Sequence, residues 1–429
     1  MSQQTKQWGA IIIMIALFAM IAFVTNLCTP MAVIIQAQGE IAPWMAQIGN
    51  YGNFFAYLFM GIPAGMLIAK YGYKKTALIG LAVGIVGILI QWVSGLLDAQ
   101  ANLGLVFGVY LIGAFIAGLC MCILNCVVNP MLNLLGGGGN SGNQLIQIGG
   151  VFNSSAAVAC YILMGALIGE ASKAKIADAT PALMIALGIF VIAFIVIMFT
   201  KIEEPEQNPV DLSLIKGAMS YRHFALGALA IFLYMGIEVG VPNYIQQYLT
   251  CKADAAVPGL NMDAGIVGQI VAVYWFMMLI GRLLGGIIGG KISSRVMITT
   301  VSLITLGLVA YGMFADPTNL VSVPGVDWGK LEFISADVPV GIAAFLLVGL
   351  CTSVMWGAVF NMAVEGLGKY TAIASGIFMT MVFGCAVMQF IQSKVAELTG
   401  SWLTSYWVVI FCAAYLLFYA LVGSKPAKK

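Results

Sequence analysis

Charged side chains are scarce in this sequence. Only 8% of the 429 residues are Asp, Glu, Lys or Arg, whereas 61% are hydrophobic. A soluble domain usually carries about 25% charged residues, and a soluble fold this apolar would expose a large apolar surface to water. The apolar residues occur in uncharged runs long enough to cross a hydrocarbon layer roughly 30 Å thick. Composition therefore predicts a polytopic membrane protein and excludes an ordinary soluble domain.

Several functional groups are also missing or rare. The formal net charge is only +2, so no nucleic-acid partner is expected. The single histidine, His223, and the lack of HExxH and GxSxG motifs argue against a membrane-embedded enzyme. The glycine-rich turn after residue 135 lacks the lysine of a GxxxxGK phosphate loop. The nine cysteines form no CxxC pair in a polar loop, so we expect packing residues and no metal or cofactor.

Twelve apolar segments predict an all-α fold with twelve transmembrane helices in two pseudo-symmetric six-helix bundles. The longest charged connector, 201–223, separates six segments from six. It divides the chain into an N-terminal bundle (1–200), a cytoplasmic linker (201–223) and a C-terminal bundle (224–429). The predicted helices lie at 8–36, 44–70, 76–97, 103–135, 144–170, 181–200, 224–250, 264–290, 297–315, 338–364, 371–396 and 402–423.

Lysine and arginine predict the orientation. Fourteen of the nineteen basic residues fall on the side of the N-terminus when the twelve segments alternate across the membrane. Basic residues are enriched in cytoplasmic loops. Both termini are therefore predicted to be cytoplasmic, which requires an even number of spans.

The two halves contain a weak internal repeat. Gly61 and Gly65 precede a basic turn that ends at Lys75, and Gly281 and Gly285 precede one that ends at Arg295, at a constant offset of 220 residues. Glycines at such places let helix backbones approach closely. Two repeated six-helix halves resemble the plan of the major facilitator superfamily, which implies a substrate site near the midplane between halves that rock.

Glu238 is the one acidic residue that we place near the middle of the membrane, about 20 Å into the seventh predicted helix. An ionisable residue at that depth is a functional candidate. It could accept hydrogen bonds from sugar hydroxyls, bind and release a proton, or do both. A structural carboxylate hydrogen-bonded between helices is the alternative.

Basic residues and glycines near the N-terminal side predict a cytoplasmic gate. Arg282 lies a turn or more inside the end of the eighth predicted helix, and snorkelling or gate pairing is favoured over substrate contact. The predicted gate residues are Gly65, Lys74, Lys75, Arg282 and Arg295.

Uncharged polar residues occur in five predicted helices and suit a neutral polyhydroxylated ligand. Amides can hydrogen-bond hydroxyl groups, and aromatic rings can stack on the apolar face of a sugar. Each amide could instead bridge two helices, and a tryptophan could instead serve packing. The predicted substrate-binding residues are Glu238, Asn153, Asn125, Asn26, Asn243, Gln147 and Trp356, with Glu238 also predicted for proton coupling.

Four stretches resemble the fucose–galactose–glucose–proton symporter family of the major facilitator superfamily. They are 52–75, Asn129-Pro130 with Phe152-Asn153-Ser154, 234–239 and 359–376. The last contains Leu367-Gly368-Lys369-Tyr370-Thr371, and the third is most similar to the glucose/galactose branch, which also has a glutamate at the position of Glu238.

The family pattern is not complete in this chain. Asn125 stands where the fucose symporter has a helix-4 glutamate, and Gly150 stands where it has a glutamine three residues before Asn153. Its helix-1 aspartate has no counterpart between Thr25 and Pro30. The family's usual acids therefore do not carry over to these positions.

The resemblance implies a secondary-active transporter of a monosaccharide, a hexose such as glucose, galactose or fucose, by proton symport and alternating access. An uncoupled sugar uniporter and an exporter of amphiphilic or drug-like compounds are the alternatives. The expected location is a bacterial inner membrane. The expected partners are the sugar, a proton or sodium ion and membrane lipid, and the expected state is a monomer.

Overall fold

The architecture comes from a computed structural model. It describes residues 8–37, 43–97, 99–136, 139–168, 175–202, 204, 213–288, 292–327, 332–367 and 370–425. Within these ranges eleven helices are long and apolar enough to cross a membrane. One of them, Ile48–Leu96, has 49 residues, and its backbone is non-helical at Gly72, where φ is 80° and ψ is 175°. Because a helix of that length is about twice the membrane thickness, it forms two spans.

The predicted twelve-span all-α fold is confirmed. We call the side on which α1 begins the terminal side and the opposite side the far side. The N-terminal half contains α1 (Trp8–Ala37), the short α2 (Pro43–Ala46), α3 (Ile48–Leu96), α4 (Ala99–Leu135), α5 (Gly139–Ile168) and α6 (Thr180–Phe199). The boundaries of the two halves in the chain stay a prediction, because part of 201–223 lies outside the described residues.

The C-terminal half is more interrupted than the sequence predicts. Its seventh span consists of α8 (Arg222–Glu238) and α9 (Gly240–Thr250), and its eleventh consists of α13 (Thr371–Met381) and α14 (Gly384–Thr399). The remaining helices are α7 (Leu214–Met219) in the linker, then α10 (Ala264–Ile288), α11 (Ser294–Phe314), α12 (Val340–Val364) and α15 (Trp407–Phe418), the last continued by a turn at Tyr419–Gly423. Broken helices are tolerated in a bilayer where the freed backbone groups are buried in protein.

A β-hairpin on the far side connects α11 to α12, and almost all of it lies in the stretch between the predicted helices 297–315 and 338–364. β1 (Leu320–Asp327) pairs antiparallel with β2 (Glu332–Pro339), from Leu320 opposite Pro339 to Asp327 opposite Glu332. In β1, Val323 is buried and Val321 half-buried, whereas Ser322 and Pro324 are exposed, an alternation typical of a strand with one covered face.

The basic turn at Gly72 joins α3 to the end of α6. The carboxylate of Glu204 accepts hydrogen bonds from the backbone N–H groups of Tyr73, at 2.7 Å, and Lys74, at 2.9 Å. The Lys74 ammonium donates to the carbonyl oxygens of Met198, at 3.1 Å, and Thr200, at 2.8 Å. These contacts cap a helix start and a helix end within the N-terminal half.

The two halves touch closely where α3 crosses α13. A Cβ atom built on Gly61 would lie 2.6 Å from the backbone nitrogen and 2.8 Å from the Cα of Thr380. These contacts are to backbone, so no side-chain rotation could relieve them. One turn further, Gly65 has no heavy atom within 4 Å of such a Cβ. Only the first of these two glycines is required by the packing.

We predict that Gly61→Ala destabilises the protein, whereas Gly65→Ala does not. Overpacking at Gly61 is expected to cost about 1–3 kcal/mol. Alanine at residue 65 gains up to about 1 kcal/mol of helix propensity. Thermal unfolding of the detergent-purified variants measures both effects. Equal melting temperatures for the two variants would contradict the close approach at Gly61.

Candidate functional site: a polar centre and a far-side seal

The polar centre of the protein is an ion pair between two helices of the C-terminal half. Glu238 is the last residue of α8, and Arg282 lies in α10. The guanidinium Nη2 is 3.8 Å from the carboxylate Oε1, and the two side chains are only 14% and 13% exposed. A charge at membrane depth is costly unless it is paired. Each of these residues therefore supplies the opposite charge that the other requires.

Arg282 also reaches across to the N-terminal half. Its Nη1 donates to the backbone oxygen of Gly150, at 2.5 Å, and to the Oδ1 of Asn153, at 3.1 Å. The Nδ2 of Asn153 donates in turn to the backbone oxygen of Phe18 in α1, at 2.8 Å. The chain of contacts therefore joins α8, α10, α5 and α1 across the interface between the halves.

Gly150 makes room for the guanidinium. A Cβ atom at this position would lie 3.1 Å from the Cδ of Arg282 and 3.4 Å from its Nη1. The first distance is tighter than ordinary van der Waals contact, so the arginine would have to shift by a few tenths of an ångström to admit even a Cβ atom.

The backbone at the centre is held by hydroxyl groups. The hydroxyl of Tyr274 donates to the carbonyl oxygen of Glu238, at 2.9 Å, and lies 3.1 Å from the Oγ1 of Thr352. The end of α8 leaves carbonyl groups without helical partners. Tyr274 supplies a donor there, so it fixes the position from which the Glu238 side chain extends.

Two aromatic pairs lie on the helices that carry this centre and on their neighbours. The rings of Tyr234 and Trp356 lie 6.2 Å apart, and those of Tyr161 and Trp275 lie 6.3 Å apart with an interplanar angle of 27°. Tyr161 belongs to α5 and Trp275 to α10, so this second pair spans the two halves. The surroundings of the ion pair therefore combine charge, amide and aromatic groups.

The other predicted binding residues occupy three different places. The Nδ2 of Asn125 donates to the hydroxyl of Tyr57 at 2.9 Å, within the N-terminal half. Asn26 donates to the carbonyl of Ala22 in its own helix at 2.8 Å and is buried. Gln147 is half-buried on α5, two helical turns closer to the terminal side than Asn153. Of the predicted set, Glu238 and Asn153 contact Arg282, and Trp356 packs against Tyr234, one helical turn before Glu238 in α8.

Asn243 belongs to a separate cluster that closes the far side. Its Nδ2 donates to the Oε1 of Gln47, at 3.0 Å, and to the Oε1 of Gln389, at 2.6 Å. The Nδ2 of Asn50 donates to the same Gln389 oxygen, at 2.7 Å. Gln47 and Asn50 come from the N-terminal half, and Asn243 and Gln389 come from the C-terminal half. The bonds of Asn243 to Gln47 and of Asn50 to Gln389 therefore join the halves.

Two tyrosines complete this cluster. The hydroxyl of Tyr51 lies 2.8 Å from the Oγ of Ser393, and the hydroxyl of Tyr244 lies 2.5 Å from the same atom. All of these side chains are buried. We call the cluster the far-side seal and define it as Gln47, Asn50, Tyr51, Asn243, Tyr244, Gln389 and Ser393.

The predicted gate residues do not form one cluster. Arg282 lies in the polar centre rather than with the basic residues of the terminal side. Lys74 binds carbonyl groups at the end of α6, and Lys75 is exposed. The Nε of Arg295 donates to the Oγ of Ser424, at 3.3 Å, within its own half. Gly65 has open space beside it.

Sequence reasoning missed the glutamines and the serine of the far-side seal. Gln47 precedes a helix start, and Gln389 and Ser393 lie in an apolar segment in which no polar residue was selected. Their spacing of four residues, one turn of a helix, puts both on the same face. That spacing was the available signal, because two polar side chains on one face of a spanning helix rarely face lipid.

Twelve spans in two halves, with a buried ion pair whose arginine bonds to the opposite half and a seal on one side, define a polytopic secondary transporter. The chain belongs to the Major Facilitator Superfamily, whose family model matches residues 9–388.

Individual relatives agree with this assignment. The chain is 29% identical to a glucose/galactose transporter of Brucella abortus over 382 residues, which cover 87% of this chain and 84% of the relative. It is 21% identical over 402 residues to the L-fucose-proton symporter of Escherichia coli, covering 87% and 84%. The crystal structure of FucP in the outward conformation matches with a TM-score of 0.68 and 20% identity, covering 96% of this chain and 97% of that one.

We predict that Arg282→Met destabilises the protein more than the double variant Arg282→Met with Glu238→Gln. The single variant leaves Glu238 as a buried charge without a counter-ion, at an expected cost of roughly 3 kcal/mol. The double variant removes both charges. Thermal unfolding in detergent measures the difference, and a double variant less stable than the single one would contradict a stabilising pair.

Proposed function

We propose that this protein transports a monosaccharide, a hexose such as glucose, galactose or fucose, together with a proton by alternating access. The observation that carries the proposal is the composition of the polar centre. Glu238 and Arg282 cancel each other's charge, and Asn153, Tyr274 and Trp356 supply amide, hydroxyl and aromatic groups nearby. Such a centre has no net charge and is suited to a neutral polyhydroxylated solute. The names of the relatives in Brucella abortus and Escherichia coli support this class.

The conformation supports an alternating-access cycle. The far-side seal joins the halves by hydrogen bonds on one side of the polar centre. Glu238 and Arg282 nevertheless keep a small exposed fraction, 14% and 13%. Because the far-side seal closes the path from the far side, we infer that solvent reaches Glu238 and Arg282 from the terminal side. The structure is then the state of the carrier that is open to the terminal side.

Glu238 is the proposed proton-binding group. A proton on Glu238 would remove the negative charge that faces Arg282, while Arg282 would keep its hydrogen bonds to Gly150 and Asn153. Protonation would therefore weaken the attraction of Arg282 to its own half and leave its hydrogen bonds to the N-terminal half as its stronger contacts. This coupling links the charge of one carboxylate to the contact between the halves.

The proposed location is a bacterial inner membrane with both termini in the cytoplasm. Lys70, Lys74, Lys216 and Arg222 lie on the terminal side, and the far side of the described chain has fewer basic residues. This asymmetry favours a cytoplasmic terminal side. Under that assignment the hairpin β1–β2 faces the periplasm.

We predict that membrane vesicles containing the protein accumulate labelled hexoses faster at an external pH of about 6 than at about 8. Proton symport supplies the reason, because an inward proton gradient drives uptake. Glu238→Gln is expected to abolish accumulation by the gradient while equilibrium exchange continues. Uptake of a panel of monosaccharides at both pH values, with and without sodium, measures substrate and coupling.

A matched control removes a different carboxylate. Asp316 is exposed in the turn before β1 and accepts hydrogen bonds from Thr318. Asp316→Asn is expected to keep accumulation unchanged. Hexose accumulation by the Glu238→Gln variant that does not depend on pH would exclude Glu238 from proton coupling. Uptake of drug-like compounds but not of hexoses by the unaltered protein would favour an exporter instead.

We predict opposite labelling sides for cysteines introduced at Asn319 and Lys216. Both positions are exposed, one before the hairpin and one in α7. The nine native cysteines are all buried, so the unaltered chain is expected to react little with a membrane-impermeant maleimide. In intact cells only Asn319→Cys should react, and in inverted vesicles only Lys216→Cys. The reverse pattern would contradict the proposed orientation.

A further inference from the structure

We propose that the far-side seal is a second sugar-binding site, which receives the neutral sugar when the far side opens. This inference rests on the proposed function. It adds a site to the polar centre, made of amide and phenol groups of both halves. The site is closed in the present conformation, because its own groups bind one another.

Unpaired hydrogen-bonding atoms inside the seal point to a missing ligand. Among the described residues, the Nε2 of Gln47, the Oδ1 of Asn50 and the Oδ1 of Asn243 have no hydrogen-bond partner. All three side chains are at most 1% exposed. Buried polar atoms are nearly always paired in proteins, because an unpaired one costs about 1–3 kcal/mol.

The same pattern continues along α9. The Oε1 of Gln246 and the Nε2 of Gln247 are also buried and unpaired within the described chain. Gln247 lies four residues after Asn243, so both amides are on the same face of the helix. The seal and the two glutamines that follow it on α9 therefore carry surplus donors and surplus acceptors together. A hydroxyl group satisfies both kinds, because it donates one hydrogen bond and accepts others.

The charges nearby favour a neutral ligand. The seal contains no carboxylate and no basic side chain. The charged groups on the same helix are Lys394 and Glu397, which pair with each other at 2.9 Å. The Glu397 carboxylate also accepts from the backbone N–H of Trp44, at 3.1 Å. An ionic solute would find no free counter-charge at this place, whereas a sugar needs none.

Opening the far side must break the bonds that join the halves. Within the seal these are Asn50 to Gln389, Asn243 to Gln47, and Tyr51 to Ser393 and to the Gln389 carbonyl oxygen. Next to the seal, the Trp44 N–H to the Glu397 carboxylate is another. The bonds of Asn243 to Gln389 and of Tyr244 to Ser393 lie within the C-terminal half and need not break. The C-terminal part of the seal therefore remains ordered in the far-open state and can present its amides to a sugar.

The test measures the sugar concentration for half-maximal uptake from each side of the membrane in right-side-out and inverted vesicles. Gln247→Met removes a surplus donor and breaks none of the bonds between the halves. We expect it to raise the half-maximal concentration on the far side about fivefold, the loss of one hydrogen bond. The value on the terminal side should stay unchanged.

Glu397→Ala is the matched control. It removes a bond between the halves, from the backbone N–H of Trp44 to the Glu397 carboxylate, but Glu397 lies outside the seal and carries no surplus atom. Weakening the closure of the far side increases the population of the far-open state, and a larger binding-competent population lowers the apparent dissociation constant. This control is therefore expected to lower the far-side value or leave it unchanged, so the two variants should not shift together.

A far-side value for Gln247→Met that is unchanged or lower would overturn the proposal, since the seal would then be only a structural closure. Both variants should melt within a few degrees of the unaltered protein, which excludes misfolding as the cause. If the unaltered protein takes up no hexose from either side, the proposed function itself fails. That result is visible before any variant is compared.

Discussion

The structure depends on placing two opposite charges inside a membrane without isolating either of them. Arg282 solves this by facing Glu238 in its own half while donating to Gly150 and Asn153 of the other half. Hydrocarbon cannot stabilise a lone guanidinium or carboxylate. The pair thus constrains where α8 breaks, how closely α5 approaches α10, and which residues can stand between the halves.

The polar groups are divided between the centre and the far side according to charge. The centre contains the ion pair, whereas the far-side seal consists of amides and hydroxyls. Neutral hydrogen bonds are individually worth about 1 kcal/mol, so several can hold the halves together and still separate. An ion pair at the far side would make opening more costly. The chain therefore closes its far side with weak, numerous contacts.

The hydrophobic runs predicted the twelve spans, because a spanning helix must be long and apolar, and the charged connector with the repeat at an offset of 220 residues predicted the two halves. Glu238 could also be found from the sequence, since an acid in such a run is rare. The sequence did not identify Arg282 as its partner, because Arg282 lies near a helix end, where snorkelling explains a basic residue equally well. The hairpin β1–β2 and the seal depend on which helix faces meet, and a single sequence does not contain that information. Asn243 and Asn153 were both selected as amides, yet packing places them in different clusters.

Gly150 carries a consequence for chimeric carriers. Its missing side chain is the cavity into which the arginine of the opposite half inserts. The N-terminal half therefore supplies the space at Gly150, and the C-terminal half supplies the Arg282 side chain that fills it. A hybrid that joins this C-terminal half to a relative with a bulky residue at the same position would separate the halves at their centre. Such a hybrid would need a glycine at the position of Gly150 in its N-terminal half to accommodate Arg282.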